Sequence, residues 1–123
     1  MSNKPNGDKG GEKSIWAIVP AAGIGKRMQS VIPKQYIHLN EKPILQLTLE
    51  RLLSVPQVEG VVVALQDDDE NWNRIKLETN KAVLRADGGS ERCHSVINAL
   101  HRLQSHDSFD ENTSWVLVHD AVR

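Results

Sequence analysis

The chain has 123 residues, which is close to the size of one domain, so a single hydrophobic core is expected. Charged residues make up 25% of the chain and nearly cancel, to a formal net charge of −1, which excludes a protein that binds nucleic acid through a broadly basic surface. The single cysteine, Cys93, excludes an internal disulfide and a cysteine metal cluster, and it fits a reducing compartment such as the cytoplasm.

Residues 1–13 are polar and rich in glycine, and this composition predicts a disordered tail. No long apolar segment follows the early cations, so we expect neither a signal peptide nor a membrane span. The sequence therefore predicts two parts, a tail over 1–13 and a folded region over 14–123.

The first predicted strand is Ile15–Val19, a short apolar run stopped by Pro20, and such a run is typical of a strand buried on both faces. Pro43 favours the first turn of a helix, because its missing N–H costs nothing there. Apolar residues at helical spacing follow it, and they predict a helix that Pro56 ends. Val61–Leu65 predicts the second buried strand.

The polar sequence after the second strand predicts a turn and a short helix, and Ala82–Ala86 predicts a third strand. Ser90 stands where a helix N-cap belongs. The helix after it is indicated by apolar residues at positions i, i+3, i+4, i+7 and i+10, namely Cys93, Val96, Ile97, Leu100 and Leu103. Trp115–Val118 predicts a fourth strand.

Strands alternate with helices along the whole chain, and this order predicts an α/β fold of Rossmann-like type with a mainly parallel sheet of about four strands. In such sheets ligands bind beyond the carboxyl ends of the strands. Each predicted strand is followed by residues suited to binding: "AAGIGKRM", Asp67, "DGGSER" and "HDAVR". We therefore expect a ligand site at this edge of the sheet.

The loop after the first strand, within "AIVPAAGIGKRM" (residues 17–28), combines glycines with cations, as loops that hold phosphate through backbone N–H groups do. The dinucleotide-binding pattern fails, because Met28 occupies the third-glycine position and Pro33 stops a long helix. The Walker A pattern fails, because Arg27 stands where Ser or Thr is needed. The loop is therefore predicted to bind phosphate in some other way.

"PAAGIGKRM" followed by "PKQY" resembles the signature of the sugar-nucleotidyltransferase superfamily, in the form typical of the 2-C-methyl-D-erythritol 4-phosphate cytidylyltransferase family. "DGGSERCHSV" and "VLVHDAVR" resemble the later motifs of that family, in the same order and spacing, and the resemblance covers residues 15–123. It implies a reaction of isoprenoid precursor synthesis. The phosphate of methylerythritol phosphate attacks the α-phosphorus of CTP, and pyrophosphate leaves.

The resemblance also implies roles for single residues. Arg27 and Lys34 match the family's catalytic residues, which stabilise negative charge in the transition state. Asp120 matches the aspartate that binds Mg²⁺ beside the α-phosphate. The match predicts that CTP is bound by Pro20, Ala21, Ala22, Gly23, Gly25, Lys26, Gly89, Ser90, Arg92 and Ser95.

Plainer interpretations of some of these residues stay open. Ser90 either meets the base or caps the helix, and the Ser95 hydroxyl either meets cytosine or is exposed on a helix face. Arg92 either fixes its loop or meets a phosphate. We expect Cys93 to be an inert core residue and Asp67–Asp69 to be a solvated run of charge.

Members of this family continue past the motif that ends the chain into a second half, which supplies the acceptor contacts, further strands and an arm that forms a homodimer. We therefore expect this chain to bind CTP but to transfer poorly, and its fourth strand to expose an apolar edge that favours self-association. The alternatives are a ribitol-phosphate cytidylyltransferase or another sugar-phosphate nucleotidyltransferase, and a non-catalytic nucleotide-binding fragment.

Overall fold

The computed structural model describes residues 14–22, 36–39, 41–67, 69–107 and 109–121. Its elements in chain order are β1 (Ser14–Pro20), β2 (His38–Leu39), β3 (Lys42–Pro43), α1 (Ile44–Leu53), β4 (Val58–Leu65), a 3₁₀ turn (Asn71–Arg74), β5 (Ala82–Asp87), α2 (Arg92–Gln104) and β6 (Ser114–Val118). The four predicted strands are therefore confirmed, each of them one to three residues longer than the sequence indicates. Neither α1 nor α2 has the length and apolar character that a helix needs to cross a bilayer.

Four of the strands form one parallel sheet in the order β5-β4-β1-β6, and β2 pairs with β3 in a separate antiparallel ribbon. Along the chain the sheet first grows from β1 through β4 to β5, and it then returns to add β6 on the other side of β1. The winding reverses between β1 and β6. Open parallel sheets bind ligands beside such a reversal, beyond the carboxyl ends of the strands.

The two faces of the sheet are covered by different helices, because successive side chains of a strand point to opposite faces. Helix α1 lies on one face, in a cluster that includes Ala17, Val19, Leu45, Leu49 and Val61. Helix α2 lies on the other face, in a cluster that includes Trp16, Ile18, Val62, Ala99 and Leu103. Apolar side chains on both faces of β1 explain why its sequence is a continuous run.

Helix α1 begins directly after Pro43, which occupies its N-cap, and it ends before Pro56, so the predicted helix is confirmed. Its leucines at helical spacing form the face that packs on the sheet. They are Leu45, Leu49, Leu52 and Leu53, each at most 7% exposed.

The buried face of α2 differs from the predicted stripe. Ser95, Ala99 and Leu103 are buried, whereas Ile97 is 47% exposed and Cys93 is an exposed free thiol. The prediction that Cys93 lies in the core is wrong. The helix rests on the sheet through positions i, i+4 and i+8, so the apolar stripe read from the sequence lies to one side of the contact.

Strand β6 lies at the edge of the sheet, with apolar side chains on both faces uncovered. The exposed fractions are 61% for Trp115, 37% for Val116, 45% for Leu117 and 37% for Val118. The expectation of an exposed apolar edge strand is therefore confirmed, and self-association through it stays a prediction.

Candidate functional site

The carboxyl ends of β1, β4, β5 and β6 meet at one edge of the sheet, because the strands are parallel. The segment after β1 stays attached there, since the Ala21 N–H donates to the carbonyl of Ala64 at 2.8 Å. The segment after β5 is attached in the same way, through the Gly88 N–H and the carbonyl of Leu65 at 2.6 Å. Sequence motifs far apart in the chain are therefore side by side.

Gly88 marks the point where the first and third motifs touch. A Cβ added at Gly88 would overlap the Cβ of Ala22 and would lie 3.1 Å from the carbonyl oxygen of Leu65. Only a residue without a side chain fits between these two segments. The first glycine of "DGG" is thus required by the close approach of the two loops.

Gly89 and Ser95 form the next part of the edge. The Gly89 N–H donates to the Ser95 hydroxyl at 3.0 Å, and Ser95 is only 1% exposed. A Cβ at Gly89 would also collide with the Cβ of His94. The plainer interpretation of Ser95 as an exposed hydroxyl is therefore wrong. The hydroxyl holds Gly89 in place, and its contact with a base stays a prediction.

Ser90 does not cap α2. The N-cap residue is Glu91, which has an extended backbone and makes no side-chain cap hydrogen bond. The Ser90 hydroxyl instead lies 3.1 Å from Nδ1 of His94, one turn into the helix. The N-cap interpretation is wrong because α2 begins one residue later than expected, and Ser90 is left exposed at the edge of the site.

Arg92 and Asp120 join the third and fourth motifs. Nε of Arg92 donates to Oδ1 of Asp120 at 2.8 Å, although 28 residues separate them in the chain. Their side chains are 58% and 39% exposed, so water screens the pair and its contribution to stability is small. Its significance is the placement of a guanidinium and a carboxylate, both accessible, at the reversal point of the sheet.

The backbone on both sides of Asp120 is fixed. The His119 N–H donates to the carbonyl of Ile18 at 2.9 Å, which continues the β1–β6 ladder. The Thr48 hydroxyl of α1 donates to the carbonyl of Ala121 at 3.2 Å, and Ala121 is 2% exposed. Thr48 was not predicted from the sequence, where a polar residue between the leucines of a helix is the only signal.

The sequence predicts that Asp69 belongs to a solvated run of charge, and this prediction is wrong for Asp69. Asp69 is half-buried, and its carboxylate accepts a hydrogen bond from the hydroxyl of Tyr36 at 2.8 Å. Burial raises the pKa of Tyr36 above its ordinary value, and the hydrogen bond to Asp69 raises it further. Asp67 is exposed, in agreement with the prediction.

Five of the predicted site residues lie outside the described residues. They are Gly23, Gly25, Lys26, Arg27 and Lys34. Their roles therefore stay predictions. The described part of the site contains Pro20 at the end of β1, Ala21 and Ala22 directly after it, the segment from Gly89 to Ser95, and Asp120.

Within the described ranges, no three side chains of His, Cys, Asp or Glu come together as a metal cluster. Asp120 is nevertheless suited to a hard cation that keeps water and phosphate ligands. Its carboxylate is accessible, and no described residue donates to Oδ2. One protein carboxylate is enough for Mg²⁺ when phosphate oxygens supply other ligands.

A surface groove of about 470 Å³ lies elsewhere, between α1 and the segment 76–79. Two of its charged side chains are paired with each other: Lys42 contacts Glu50 at 3.2 Å, and Gln46 also donates to Glu50. The hydrogen bonds from Gln46 and Lys42 lower the pKa of Glu50, and the bond from Gln46 has the larger effect. The groove contains none of the predicted motifs, so the carboxyl edge is the stronger candidate.

Comparison with known families shows to which family the chain belongs. The family model IspD, 2-C-methyl-D-erythritol 4-phosphate cytidylyltransferase, matches residues 15–123. The chain belongs to this family. All four sequence motifs, and every contact described above at the carboxyl edge, lie within the matched part of the chain.

Curated cytidylyltransferases of this name are similar to the chain in sequence. The one from Vibrio atlanticus is 48% identical over 111 residues, which are 90% of this chain and 46% of the relative. The one from Pseudomonas putida is 44% identical over 110 residues, covering 89% and 46%. The chain therefore spans a little under half the length of the curated relatives it matches.

Solved structures show the same fold. A 4-diphosphocytidyl-2C-methyl-D-erythritol synthase matches with a TM-score of 0.71 at 26% identity, covering 89% of this chain and 46% of that one. The bifunctional IspDF from Campylobacter jejuni matches with a TM-score of 0.60 at 26% identity, covering 88% and 26%. The predicted α/β, mainly parallel architecture is confirmed, and it is that of cytidylyltransferases.

Proposed function

We propose that the chain is the nucleotide-binding part of a 2-C-methyl-D-erythritol 4-phosphate cytidylyltransferase that acts in the cytoplasm, in isoprenoid precursor synthesis. The observation that carries the proposal is the contact between Arg92 and Asp120, together with that between Gly88 and Ala22. These contacts bring three of the four motifs that resemble the family, the first, third and fourth, to one edge of the sheet, at the reversal of its winding.

In the proposed reaction, an oxygen of the acceptor phosphate forms a bond to the α-phosphorus of CTP. The bond between the α-phosphorus and the oxygen that bridges the α- and β-phosphates breaks, and its electron pair leaves with pyrophosphate. The products are 4-diphosphocytidyl-2-C-methyl-D-erythritol and pyrophosphate. Negative charge spreads over the phosphoryl oxygens, so the protein contributes mainly positioning and electrostatic stabilisation.

The residues at the edge are suited to separate parts of CTP. The base would lie against the backbone of Ala21, Ala22 and Gly89, where a close approach is possible. Arg27 and Lys34 would neutralise the triphosphate, and the planar guanidinium of Arg27 can donate two parallel hydrogen bonds to phosphate oxygens. Asp120 would hold Mg²⁺, which when bound neutralises charge on the phosphates.

Calorimetric titration of the chain with CTP, UTP, ATP and GTP, each with Mg²⁺, tests the proposal. We expect CTP to bind at least about tenfold more tightly than the other three, because a site that hydrogen-bonds one base leaves polar groups unpaired with another. Arg27→Ala should weaken CTP binding, and Arg102→Ala, an exposed arginine at the far end of α2, should not. Equal binding of all four nucleotides, or none, contradicts the proposal.

A further inference from the structure

Thr48 of α1 makes a long-range contact that the proposed chemistry does not use. A threonine inside a helix commonly donates its hydroxyl to the carbonyl four residues earlier in the same helix. The Thr48 hydroxyl instead donates to the carbonyl of Ala121 at 3.2 Å, 73 residues later in the chain. Thr48 is half-buried and Ala121 is 2% exposed, so water has little access to this bond. The hydroxyl therefore joins α1 to the segment that follows β6.

Helix α1 is a firm support for this bond. Leu45 and Leu49, which flank Thr48 on the helix, are fully buried. Both belong to the cluster between α1 and the sheet, and Ala121 belongs to the same cluster. The side chain and the carbonyl of Ala121 are thus both held on the α1 side of the sheet, one by apolar packing and the other by a hydrogen bond.

The end of β6 depends on such support more than the end of an interior strand does. Strand β6 lies at the edge of the sheet, and among the described residues it pairs with β1 alone. Its side chains are poorly covered, with Trp115 61% exposed. Segments with few buried contacts open locally at a low free energy. Bonds made by side chains at the carboxyl end of β6 therefore determine how firmly residues 119–121 are held.

Asp120 lies between bonds that come from opposite faces of the sheet. Arg92 of α2 donates to Oδ1 of its carboxylate at 2.8 Å, and Thr48 of α1 donates to the carbonyl of the next residue. The carbonyl of Asp120 itself lies 2.8 Å from Nδ1 of His119, which carries the proton in this bond because a carbonyl oxygen only accepts. The backbone and one carboxylate oxygen are thus fixed, while no described residue donates to Oδ2.

We propose that Thr48 is a positioning residue for Asp120. By holding the carbonyl of Ala121, its hydroxyl keeps the carboxylate directed to the ligand edge, with Oδ2 available to a hard cation that also binds phosphate. The inference rests on the proposed function, since Asp120 has this task only if Mg²⁺ and a nucleotide bind at this edge. Loss of a residue that orients a metal ligand typically lowers metal affinity by about 10- to 100-fold.

Two variants of Thr48 separate the effect of the hydroxyl from that of the side-chain shape. Thr48→Val replaces the hydroxyl by a methyl group and keeps the branched shape, so the carbonyl of Ala121 loses its donor. Thr48→Ser keeps the hydroxyl. The matched control is Thr113→Val, the same substitution at an exposed threonine directly before β6. Circular dichroism establishes that each variant is folded.

The first experiment needs neither nucleotide nor metal. It measures the carbon chemical shifts of the Ala121 carbonyl and the Asp120 carboxylate in the isotopically labelled chain. Both should change in Thr48→Val, and both should stay close to their unaltered values in Thr48→Ser and Thr113→Val. Unchanged shifts in Thr48→Val would overturn the inference. If Thr48→Val does not fold, Thr48→Ala takes its place, since it removes the hydroxyl without setting a methyl group against the carbonyl.

The second experiment measures CTP affinity by calorimetry, with and without Mg²⁺. Thr48→Val should reduce the gain in affinity from Mg²⁺ by roughly tenfold and change the affinity without Mg²⁺ by less than about twofold. Thr48→Ser should retain the gain. In an Asp120→Asn background, Thr48→Val should have less than about a twofold further effect, because the two residues act together. A purely structural role predicts equal losses with and without Mg²⁺, or equal losses in both backgrounds, and either result would overturn the inference.

The two proposals fail in different ways. If the unaltered chain binds no nucleotide, the proposed function is contradicted, and the positioning role with it. If the chain binds CTP but gains no affinity from Mg²⁺, or if Thr48→Val keeps the full gain, the positioning role is contradicted while nucleotide binding at the edge stands.

Discussion

Gly60→Ala is expected to lower the free energy of unfolding by about 2–3 kcal/mol, the cost of forcing an extra group into a packed core. Gly60 lies in β4 between its paired residues, Trp16 on β1 and Ala82 on β5. A Cβ there would lie 2.5 Å from Cζ3 of Trp16 and 2.7 Å from the carbonyl oxygen of Ala82. The carbonyl belongs to the sheet backbone and cannot turn away.

Trp16 cannot move aside either. Its ring is fully buried and stands edge-on to the ring of His106, with 5.3 Å between centroids. Urea unfolding followed by circular dichroism measures the effect, and Glu59→Ala is the control, since Glu59 is the exposed neighbour on the same strand. The control should stay within about 0.5 kcal/mol of the unaltered chain. If Gly60→Ala is as stable as the control, the packing described for β1, β4 and β5 is incorrect.

Asp120→Asn is expected to remove most of the gain in CTP affinity that Mg²⁺ provides, a loss of roughly 30-fold or about 2 kcal/mol. The amide keeps the size of the side chain and an oxygen that can accept from Nε of Arg92, which now contacts Oδ1 at 2.8 Å. It removes the negative charge that a hard cation needs. The fold should therefore persist while the metal dependence disappears.

Calorimetric titration with CTP, with and without Mg²⁺, measures this loss. Asp87→Asn is a matched control, because Asp87 is an exposed carboxylate at the carboxyl end of β5, the strand at the opposite side of the sheet from β6. An equal loss in both variants would indicate a general effect of charge at this edge. Unchanged Mg²⁺ dependence in Asp120→Asn would exclude Asp120 as the metal ligand.

The strands and the class of fold could be predicted from the sequence because buried parallel strands are short apolar runs with breaks at their ends. The same reasoning placed the motifs at the carboxyl edge. The order of the strands could not be read in this way. The order depends on which side of β1 the chain returns to. An apolar residue such as Trp115 is compatible with both an edge strand and an interior strand, so the sequence does not distinguish the two positions.

The errors concern single side chains whose surroundings come from distant parts of the chain. Cys93 fits an apolar periodicity, but α2 contacts the sheet through Ser95 and Ala99 instead. Asp69 is one of three consecutive aspartates, and only the fold brings Tyr36 to it. Composition indicates a solvated charge run in such a case, whereas the fold leaves this carboxylate half-buried and hydrogen-bonded to Tyr36 and to the backbone of Asn71 and Trp72.

The central claim is that nucleotide binds at the carboxyl edge of the sheet, and backbone amide chemical shifts of the isotopically labelled chain test it most directly. On addition of CTP and Mg²⁺, the largest changes are expected at Ala21 and Ala22, across 88–92 and at Asp120. Residues of the groove between α1 and 76–79 should change little. Changes concentrated in that groove, or no changes at all, would contradict the claim.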